Sequence, residues 1–599
     1  MIYHCEDHTC NYWDEGEKLP ERCPQCGRKL LRANEADMTG DDWTALGNTL
    51  WDAEASDKKR MVDCFRKAAY LGSAWGVCNL GICMEQGNGV EADPVQAFWL
   101  YQQAVEMGSL NAVCCLGVCY ECGIGTAPDA EKAAELYCKA AEYGSPRGQM
   151  LLARAFHDGI GVEADAAEAV YWVRAAAYQR YGEGMYRLGV CYEYGDGVEQ
   201  NWEHAVHWFR EAAESGVSAA MTDLGYCYEK GCGVEQSWEQ AFSWYRRGAE
   251  CGYPVSMGNL GLCYKRGYGV EQNWQEAIKW YEQGAQCGDL QSMHNLACCY
   301  EGGEGVEQNE ERALYWYRRS AEGGNGDAMC NLGRCYERGY GVEQNWQEAV
   351  KWYEQGAQCG NLQSMHSLAY CYERGEGVKQ NMTEAIRWYT AAAEGGNADA
   401  MHNLGWHYDY GEGVEQDMKK AICWYERAAE QNHPAAMNSL GECYAMGLGV
   451  PRDLETAMEW YRRAAELGEA MADYNMGWHL EQAGKLSEAY AHYRKAADGN
   501  DDSAWWALGR FYENGVVVAQ DGKEARRCYE TGEKLGSVKC KMRLARCKLL
   551  GIGGRRAKKA GLDLCRQALE LAKESSEKED YGYEAEMNLL RRTIAENES

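Results

Sequence analysis

The tripeptide Gly-x-Gly recurs eleven times at an unbroken spacing of 36 residues, and this period restricts the possible folds more than any other feature. The first glycines of the eleven copies are Gly87, Gly123, Gly159, Gly195, Gly231, Gly267, Gly303, Gly339, Gly375, Gly411 and Gly447. A fixed period of about 20 to 50 residues is typical of proteins in which each repeat cannot bury its own apolar face. Neighbouring repeats must then stack to form a continuous core, so we predict a solenoid.

A representative repeat reads AMTDLGYCYEKGCGVEQSWEQAFSWYRRGAECG. Met221, Leu224 and Tyr228 are spaced as residues on one face of a helix, which we call helix A. Gly231 is suited to end this helix, because glycine adopts the left-handed conformation of a C-terminal cap without strain. Gly233 allows a second tight turn. Backbone geometry therefore explains the Gly-x-Gly loop without phosphate binding.

A second helix, helix B, is predicted after each loop, and it begins at a polar residue whose side-chain oxygen can cap the helix N-terminus. These eleven residues are Asp93, Asp129, Asp165, Asn201, Ser237, Asn273, Asn309, Asn345, Asn381, Asp417 and Asp453. Four residues later every repeat has an alanine, from Ala97 to Ala457, which lets two helices approach closely. A recurring tryptophan is assigned to the core. It stands at Trp172, Trp208, Trp244, Trp280, Trp316, Trp352, Trp388, Trp424 and Trp460.

Together these motifs resemble the Sel1-like repeat family, which is related to the tetratricopeptide repeat. The resemblance is carried by LGYCYEKGCGVEQSWEQAFSWYRRGAECG and its ten counterparts. It implies an all-α fold, a right-handed α-solenoid superhelix of about fifteen helix-turn-helix modules. The predicted organisation is a solenoid over 41–573, with strong repeats at 74–468 and divergent repeats at 41–73, 470–498 and 503–573, and then an acidic C-terminal helix or tail at 574–599.

The resemblance also implies that helix A lines a concave groove that binds partner proteins or peptides. Asparagines that recur on helix A are candidate contacts, because side-chain amides pair with both donors and acceptors of a ligand backbone. They are Asn79, Asn259, Asn295, Asn331 and Asn403. The alternative is that each amide bonds the neighbouring module.

The 92 acidic and 61 basic residues give a net charge of −31, which favours basic partners and disfavours nucleic acid and anionic membranes. No stretch is apolar enough for a membrane span or a signal peptide, so we expect a cytoplasmic protein. Of the 30 cysteines, nine occupy one position of helix A, where a reduced thiol behaves as a small buried apolar residue. These nine are Cys83, Cys119, Cys191, Cys227, Cys263, Cys299, Cys335, Cys371 and Cys443.

Residues 1–34 lack the repeat pattern and are predicted to form a zinc-knuckle module that binds structural Zn²⁺. Four thiolates in two pairs can surround the ion. The candidate ligands are Cys5, Cys10, Cys23 and Cys26. The second pair, Cys-Pro-Gln-Cys-Gly, resembles the knuckle of zinc ribbons and rubredoxin-like modules. His8 is an alternative ligand to Cys10, and zinc is preferred to iron because the sequence has no redox partner domain.

The segment 534–573 reverses the acidic character of the chain, with twelve Lys or Arg residues and two acids. Its centre is a candidate basic patch made of Lys539, Lys541, Arg543, Arg546, Lys548, Arg555, Arg556, Lys558 and Lys559. Such a patch could bind an anionic partner, RNA included, or the acidic body of another copy. The alternative is a solvated cationic cap on the repeat array.

No nucleophile with a base, no paired carboxylates and no phosphate-binding motif stand out, so we expect neither enzymatic activity nor a small-molecule substrate. The leading hypothesis is a non-catalytic scaffold or adaptor that binds proteins or peptides in its groove. A second hypothesis is a nucleic-acid-associated factor that uses the zinc module and the basic patch, although the net charge makes nucleic acid unfavourable. A third is a redox-sensing zinc-thiolate regulator.

Overall fold

The computed structural model of the chain describes residues 2–5, 13–15, 30–32, 38–51, 55–578 and 583–598. The chain divides into two compact units, Met1–Gln308 and Asn309–Ser599. Within the described ranges, no helix combines the length and the apolar character that crossing a bilayer requires.

Three short strands lie at the start of the first unit and add a small sheet to the expected all-α fold. They are β1 (Ile2–Cys5), β2 (Trp13–Glu15) and β3 (Leu30–Arg32). The order is β2-β1-β3 with both neighbours antiparallel to β1. The segments are too short to form an amphipathic helix and contain the aromatic and aliphatic residues that favour strands.

The helices of the first unit alternate between A and B, with A odd-numbered. They are α1 (Gly40–Thr49), α2 (Ala55–Tyr70), α3 (Ala74–Gln86), α4 (Pro94–Glu106), α5 (Leu110–Cys122), α6 (Ala130–Glu142), α7 (Pro146–Asp158), α8 (Ala166–Tyr178), α9 (Gly182–Tyr194), α10 (Trp202–Glu214), α11 (Ser218–Lys230), α12 (Trp238–Glu250), α13 (Pro254–Arg266), α14 (Trp274–Gln286) and α15 (Leu290–Gly302).

The second unit continues the alternation. Its helices are α16 (Glu310–Glu322), α17 (Gly326–Arg338), α18 (Trp346–Gln358), α19 (Leu362–Arg374), α20 (Met382–Glu394), α21 (Ala398–Tyr410), α22 (Met418–Glu430), α23 (Pro434–Met446), α24 (Leu454–Glu466), α25 (Ala470–Gln482), α26 (Leu486–Asp498), α27 (Asp502–Asn514), α28 (Gly522–Lys534), α29 (Val538–Leu550), α30 (Lys558–Lys578) and α31 (Glu584–Glu598). Thus α1 to α30 supply A and B helices for fifteen modules, the number expected from the sequence.

The helix boundaries confirm the predicted caps. Each of the eleven first glycines of the Gly-x-Gly loops is a left-handed C-cap of helix A, as Gly375 is for α19 with φ 75°. Each of the eleven predicted N-cap side chains accepts a backbone hydrogen bond at the start of helix B. In α20 this bond runs from Glu384 N to Asn381 Oδ1 at 3.3 Å.

The second glycine of each loop has a packing role that the sequence did not reveal. Gly377 has φ 74°, and a Cβ built on it would lie 2.4 Å from the carbonyl oxygen of Trp346, the first residue of α18 in the preceding module. A loop side chain would therefore push neighbouring modules apart. Glycine is required here both for the turn and for the close approach.

Helix B is fixed to helix A by a tyrosine ring that lies against a position of helix A with little or no side chain. A Cβ added to Gly405 in α21 would lie 2.6 Å from a ring carbon of Tyr425 in α22. Eleven tyrosines at this position of helix B are fully buried. They are Tyr101, Tyr137, Tyr245, Tyr281, Tyr317, Tyr353, Tyr389, Tyr425, Tyr461, Tyr493 and Tyr529.

The hydroxyl of this tyrosine reaches the end of helix A, where it usually meets a carboxylate. Tyr389 Oη donates to Glu373 Oε2 at 2.7 Å, and Tyr245 Oη donates to Glu229 Oε2 at 2.9 Å. Burial, together with the neighbouring carboxylate, raises the pKa of both tyrosines well above its usual range. The glutamates that end helix A therefore accept hydrogen bonds from the buried phenols.

The remaining recurring residues largely complete the core. The helix B alanines from Ala97 to Ala457 are buried, as predicted. Eight of the nine recurring cysteines are buried, and Cys191 is half-buried. Among the recurring tryptophans, Trp244 is buried and the others are half-buried, so they cover the edge of the core.

Two glycines of different turns provide a matched test of this packing: Gly360, in the turn after helix B, and Gly377, the second glycine of a Gly-x-Gly loop. Gly360 has φ 83° and open space around its Cβ direction, whereas Gly377 combines a left-handed φ with the close carbonyl. We expect Gly360→Ala to lower the free energy of unfolding by about 1 kcal/mol and Gly377→Ala by about 3 kcal/mol. Urea unfolding followed by far-UV circular dichroism measures both. Equal costs for the two variants would contradict the proposed role of the second glycine.

Candidate binding surface on the A helices

Several successive A helices contact one another within each unit, and the side on which they meet is here called the A-helix face. In the first unit α3 contacts α5, and α5 contacts α7; in the second unit α17 contacts α19. This face carries most of the side-chain hydrogen bonds that join one module to the next. Polar side chains on it can therefore either join modules or bind a ligand.

One position of helix A projects from this face in the modules from α3 to α27 and forms what we call the A-helix column. It lies between the recurring Gly or Ala and the recurring Cys position. In the first unit the column consists of Ile82, Val118, Arg154, Val190, Tyr226, Leu262 and Cys298. In the second it consists of Arg334, Tyr370, Trp406, Glu442, Trp478 and Arg510. Tyr226, Leu262 and Trp478 are 43%, 36% and 44% exposed.

The predicted groove asparagines lie on the same face, and some of them bond the neighbouring module. Asn79 Nδ2 donates to Asn48 Oδ1 of the preceding A helix at 2.8 Å. Asn403 Nδ2 lies 3.1 Å from His366 Nε2, also on the preceding A helix. These two amides therefore bond the neighbouring module, which is the alternative to ligand contact given in the sequence analysis.

The other three asparagines are half-buried on helix A. Asn295 Oδ1 accepts a hydrogen bond from Gln291 Nε2 of its own helix at 3.2 Å. Asn259 and Asn331 stand at the same position of α13 and α17. The sequence could not separate the two roles, because the rotation of one A helix against the next decides which amides meet.

A ladder of polar pairs joins four A helices of the second unit. Besides the contact of Asn403 with His366, Ser439 Oγ lies 3.5 Å from His402 Nε2. Asn475 Nδ2 donates to Asn438 Oδ1 at 3.0 Å. The paired residues are always 37 positions apart. The ladder is therefore part of the module interface and was not recognised from the sequence.

His402 is the member of this ladder with the most perturbed titration. Its ring stacks on that of His433 with the centroids 5.1 Å apart. Burial, followed by the charge of His433, lowers the pKa of His402 to about 4, against the opposing effects of Asn403 and Asp399. The folded protein therefore holds this imidazole neutral at physiological pH.

Two arginines of the predicted basic patch are committed to an internal ion-pair network. Arg543 Nε donates to Glu586 Oε2 of α31 at 2.6 Å, and Arg543 Nη1 donates to Glu513 Oε2 of α27 at 3.3 Å. Arg546 also pairs with Glu513. Glu586 is only 6% exposed and accepts a further hydrogen bond from Trp506 Nε1 at 3.2 Å. These residues attach α31 to the last modules.

The other basic residues of the patch divide into two groups. Lys539 Nζ lies 5.3 Å from the centroid of the Trp506 ring, and burial lowers the pKa of this lysine. Arg556 donates to Asn597 Oδ1 at 2.6 Å and to the Leu549 carbonyl at 3.2 Å. Lys541 and Lys548 are half-buried, whereas Arg555, Lys558 and Lys559 are exposed. The surface available to an anionic partner is thus smaller than the sequence suggested.

The predicted metal ligands fall almost entirely outside the described residues. Cys10, Cys23, Cys26 and the alternative His8 are not described, and Cys5 is the last residue of β1. In the part of the chain that is described, no group of three or more His, Cys, Asp or Glu side chains is arranged to hold a metal ion.

The neutral state of His402 leads to a pH-dependent stability. The pKa of His402 is about 4 in the folded state and about 6.5 in the unfolded state. The contribution of the neutral imidazole to the free energy of unfolding is therefore complete above about pH 6.5 and is lost as the pH falls towards 4. Between pH 7.5 and pH 5.0 we expect this group to lower the free energy of unfolding by about 2 kcal/mol. In His402→Asn, which introduces the residue found at the equivalent position 438, that loss should be absent. Urea titrations at both pH values test this, and equal losses in both proteins would refute it.

Thirteen copies of the Sel1 repeat model match the chain. They cover residues 76–109, 112–145, 146–181, 182–217, 218–253, 254–289, 290–325, 326–361, 362–397, 398–433, 434–469, 470–501 and 504–537. Comparison with curated proteins finds no match.

Two similar solved structures are a protective antigen, c5321, of uropathogenic Escherichia coli with an SLR fold, and a Sel1 repeat protein of Oxalobacter formigenes. The first is 32% identical, with a TM-score of 0.52 over 75% of this chain and 97% of that one. The second is also 32% identical, with a TM-score of 0.37 over 41% of this chain and 96% of that one. The recurring helix pairs, the thirteen repeat matches and the similarity to c5321 establish that the chain belongs to the Sel1 repeat family.

Proposed function

We propose that this protein is a non-catalytic scaffold that binds partner proteins on its A-helix face. Sel1 repeat proteins generally mediate protein–protein interactions, and their solenoid fold is typically non-catalytic. Both properties agree with a surface that repeats at a constant interval and with a sequence in which no catalytic arrangement stands out.

The observation that carries this proposal is the apolar character of the A-helix column. Five of its seven members in the first unit are aliphatic or aromatic, namely Ile82, Val118, Val190, Tyr226 and Leu262. Tyr226 and Leu262 are exposed and the other three are half-buried, and partly exposed apolar residues that share one position on neighbouring helices mark an interaction surface more strongly than scattered ones. Aromatic side chains at such positions are typical anchors of protein interfaces.

The charges favour a protein partner over nucleic acid. The net charge of −31 attracts basic surfaces and repels a phosphate backbone. In the basic segment, Arg543 and Arg546 are neutralised by Glu513 and Glu586, so they are not available as phosphate contacts. A partner with a basic, apolar-anchored segment fits these features best.

We propose in addition that the N-terminal segment binds structural zinc in a cytoplasmic protein. The support is the Cys-Pro-Gln-Cys-Gly sequence before β3, and the use of cysteine as a buried apolar residue in the repeats. Metal analysis of the full chain tests the site: about one zinc per chain is expected, and Cys23→Ser together with Cys26→Ser should remove it. Zinc retained in that double variant would contradict the site. Zinc release by peroxide would support the redox-sensing alternative.

A photocrosslinking experiment tests the binding face directly. p-Benzoylphenylalanine placed at Tyr226 on helix A should give discrete protein adducts in cells, because this side chain lies on the proposed interface. The same residue at Tyr171, which is 60% exposed on helix B, provides a matched control. Mass spectrometry of the adducts identifies the partner, and Leu262 and Trp478 provide further positions on the face.

Adducts at Tyr226 that are absent at Tyr171 are the expected result. The proposal is overturned if the three A-helix positions give no adducts, or if Tyr171 gives the same adducts in equal yield. A circular dichroism spectrum identical to that of the wild type confirms that each substituted protein is folded.

A further inference from the structure

One module departs from the tyrosine packing that joins helix B to helix A. At the position held by Tyr137 in the preceding module and by Tyr245 two modules later, α8 has Val173. The intervening module has Phe209, which keeps an aromatic ring at this position. In the first unit, Val173 is thus the only residue of this series, from Tyr101 to Tyr281, that lacks a ring.

The surroundings of Tyr245 show what a ring at position 173 would contact. The Tyr245 ring lies over Gly225, its hydroxyl donates to Glu229, and Cys263 lies near it. The residues 72 positions earlier are Ala153, His157 and Cys191. If the space of the missing ring were empty, these three residues would line it.

A cavity of about 500 Å³ is found there, and all three residues line it. We call this cavity the module socket. Its apolar wall is formed by Met150, Ala153, Val170, Val173, Val190 and Cys191. An apolar protein cavity of about 150 Å³ is sufficient to bind benzene. The module socket is partly open and its volume includes the space between charged side chains, and this volume exceeds that of an aromatic ring.

The exposure of Cys191 agrees with an unfilled space beside Val173. The eight other recurring cysteines of helix A are buried, whereas Cys191 is half-buried. The tyrosine of the neighbouring helix B covers a cysteine of this series, as Tyr245 lies near Cys263. Replacing that ring with valine leaves Cys191 open to the socket.

The module socket opens on the A-helix face. Two of its lining residues, Arg154 and Val190, belong to the A-helix column. Charged side chains line it as well, among them Arg147, Arg154, Glu183 and Arg187. A side chain that enters the socket can therefore come from a protein lying across the face proposed as the interface.

The polar end of the socket also differs from that of the other modules. Instead of a carboxylate, His157 stands where a tyrosine hydroxyl would arrive. His157 Nδ1 lies 2.6 Å from Asp158 Oδ1, and Nε2 lies 3.2 Å from Asp196 Oδ2. Both ring nitrogens are thus engaged, and the carboxylate oxygens of Asp158 and Asp196 are the hydrogen-bond acceptors at this end of the socket.

We propose that the module socket binds a tyrosine or phenylalanine side chain presented by a partner protein, in place of the tyrosine that the other modules supply themselves. This inference rests on the proposed function for the source of the ring. The apolar wall and the size of the cavity indicate an aromatic ring as the ligand, and the position of the cavity on the A-helix face indicates that a partner protein presents it.

The probe is p-cresol, which has the side chain of tyrosine, and the protein is the full chain. Iodoacetamide alkylation of Cys191, quantified by peptide mass spectrometry, reports on the socket. We expect p-cresol to bind saturably and to slow the alkylation of Cys191 severalfold, without changing that of the exposed Cys251.

Val173→Tyr is the matched variant, because it restores the ring of the other modules. The combination of alanine and tyrosine is tolerated elsewhere, since Ala369 and Tyr389 pack in one core cluster. In this variant we expect Cys191 to be alkylated as slowly as the buried Cys227 and p-cresol to have no further effect. Val173→Phe, with the ring of Phe209, is a second variant in case the first does not fold.

Two results would overturn the inference: p-cresol leaves Cys191 alkylation unchanged in the wild type, or it slows it equally in Val173→Tyr. The partner arm uses p-benzoylphenylalanine at Tyr226. Adducts that form in the wild type and fall severalfold in Val173→Tyr support the inference. Adducts that persist at full yield in Val173→Tyr contradict it and leave the proposed function intact. If p-cresol binds but no adducts form at Tyr226, Leu262 or Trp478, the proposed function is contradicted, and so is a partner protein as the source of the ring.

Discussion

The contact between a buried tyrosine ring of helix B and a position of helix A that carries at most a methyl group determines the packing of each module. Truncating a buried aromatic residue to alanine costs about 3 to 5 kcal/mol, so this contact is among the largest single contributions to a module. The ring can lie flat only where helix A has Gly or Ala, as the close approach of Tyr425 to Gly405 shows. Its hydroxyl in turn requires a polar group at the end of helix A, as Glu373 provides for Tyr389.

This contact separates structural positions from those that remain free to vary. The Gly or Ala and Cys positions face the ring, and the residue between them projects from the A-helix face. The latter position holds residues as different as Tyr226, Arg334, Trp406 and Glu442, which packing alone does not require. An unusual residue at one of the structural positions is expected where another requirement competes with stability. Val173 is such a departure, and the cavity beside it lies next to the variable column.

Much of the fold could be predicted from the sequence, because caps, turns and helix periodicity are local properties. The glycine C-caps, the N-cap residues and the close-packing alanines all lie where the 36-residue period placed them. Contacts between modules could not be predicted in the same way. Whether Asn403 meets His366 depends on the rotation of adjacent A helices, and the pairing of Arg543 with Glu586 joins residues 43 positions apart without any repeated pattern. The absence of a tyrosine at position 173 is visible in the sequence, but its meaning requires knowing what the other tyrosines contact.

A crystal structure of the full chain soaked with p-bromophenol would show whether the module socket is open to an aromatic ring, because bromine can be located by its anomalous scattering. Within the repeats, we expect bromine to bind beside Val173, Ala153 and Cys191, with the bromophenol ring lying as the Tyr245 ring lies in its own module. A filled or collapsed space at this position, with no bromine there, would contradict the claim that this module has an open aromatic socket on the A-helix face.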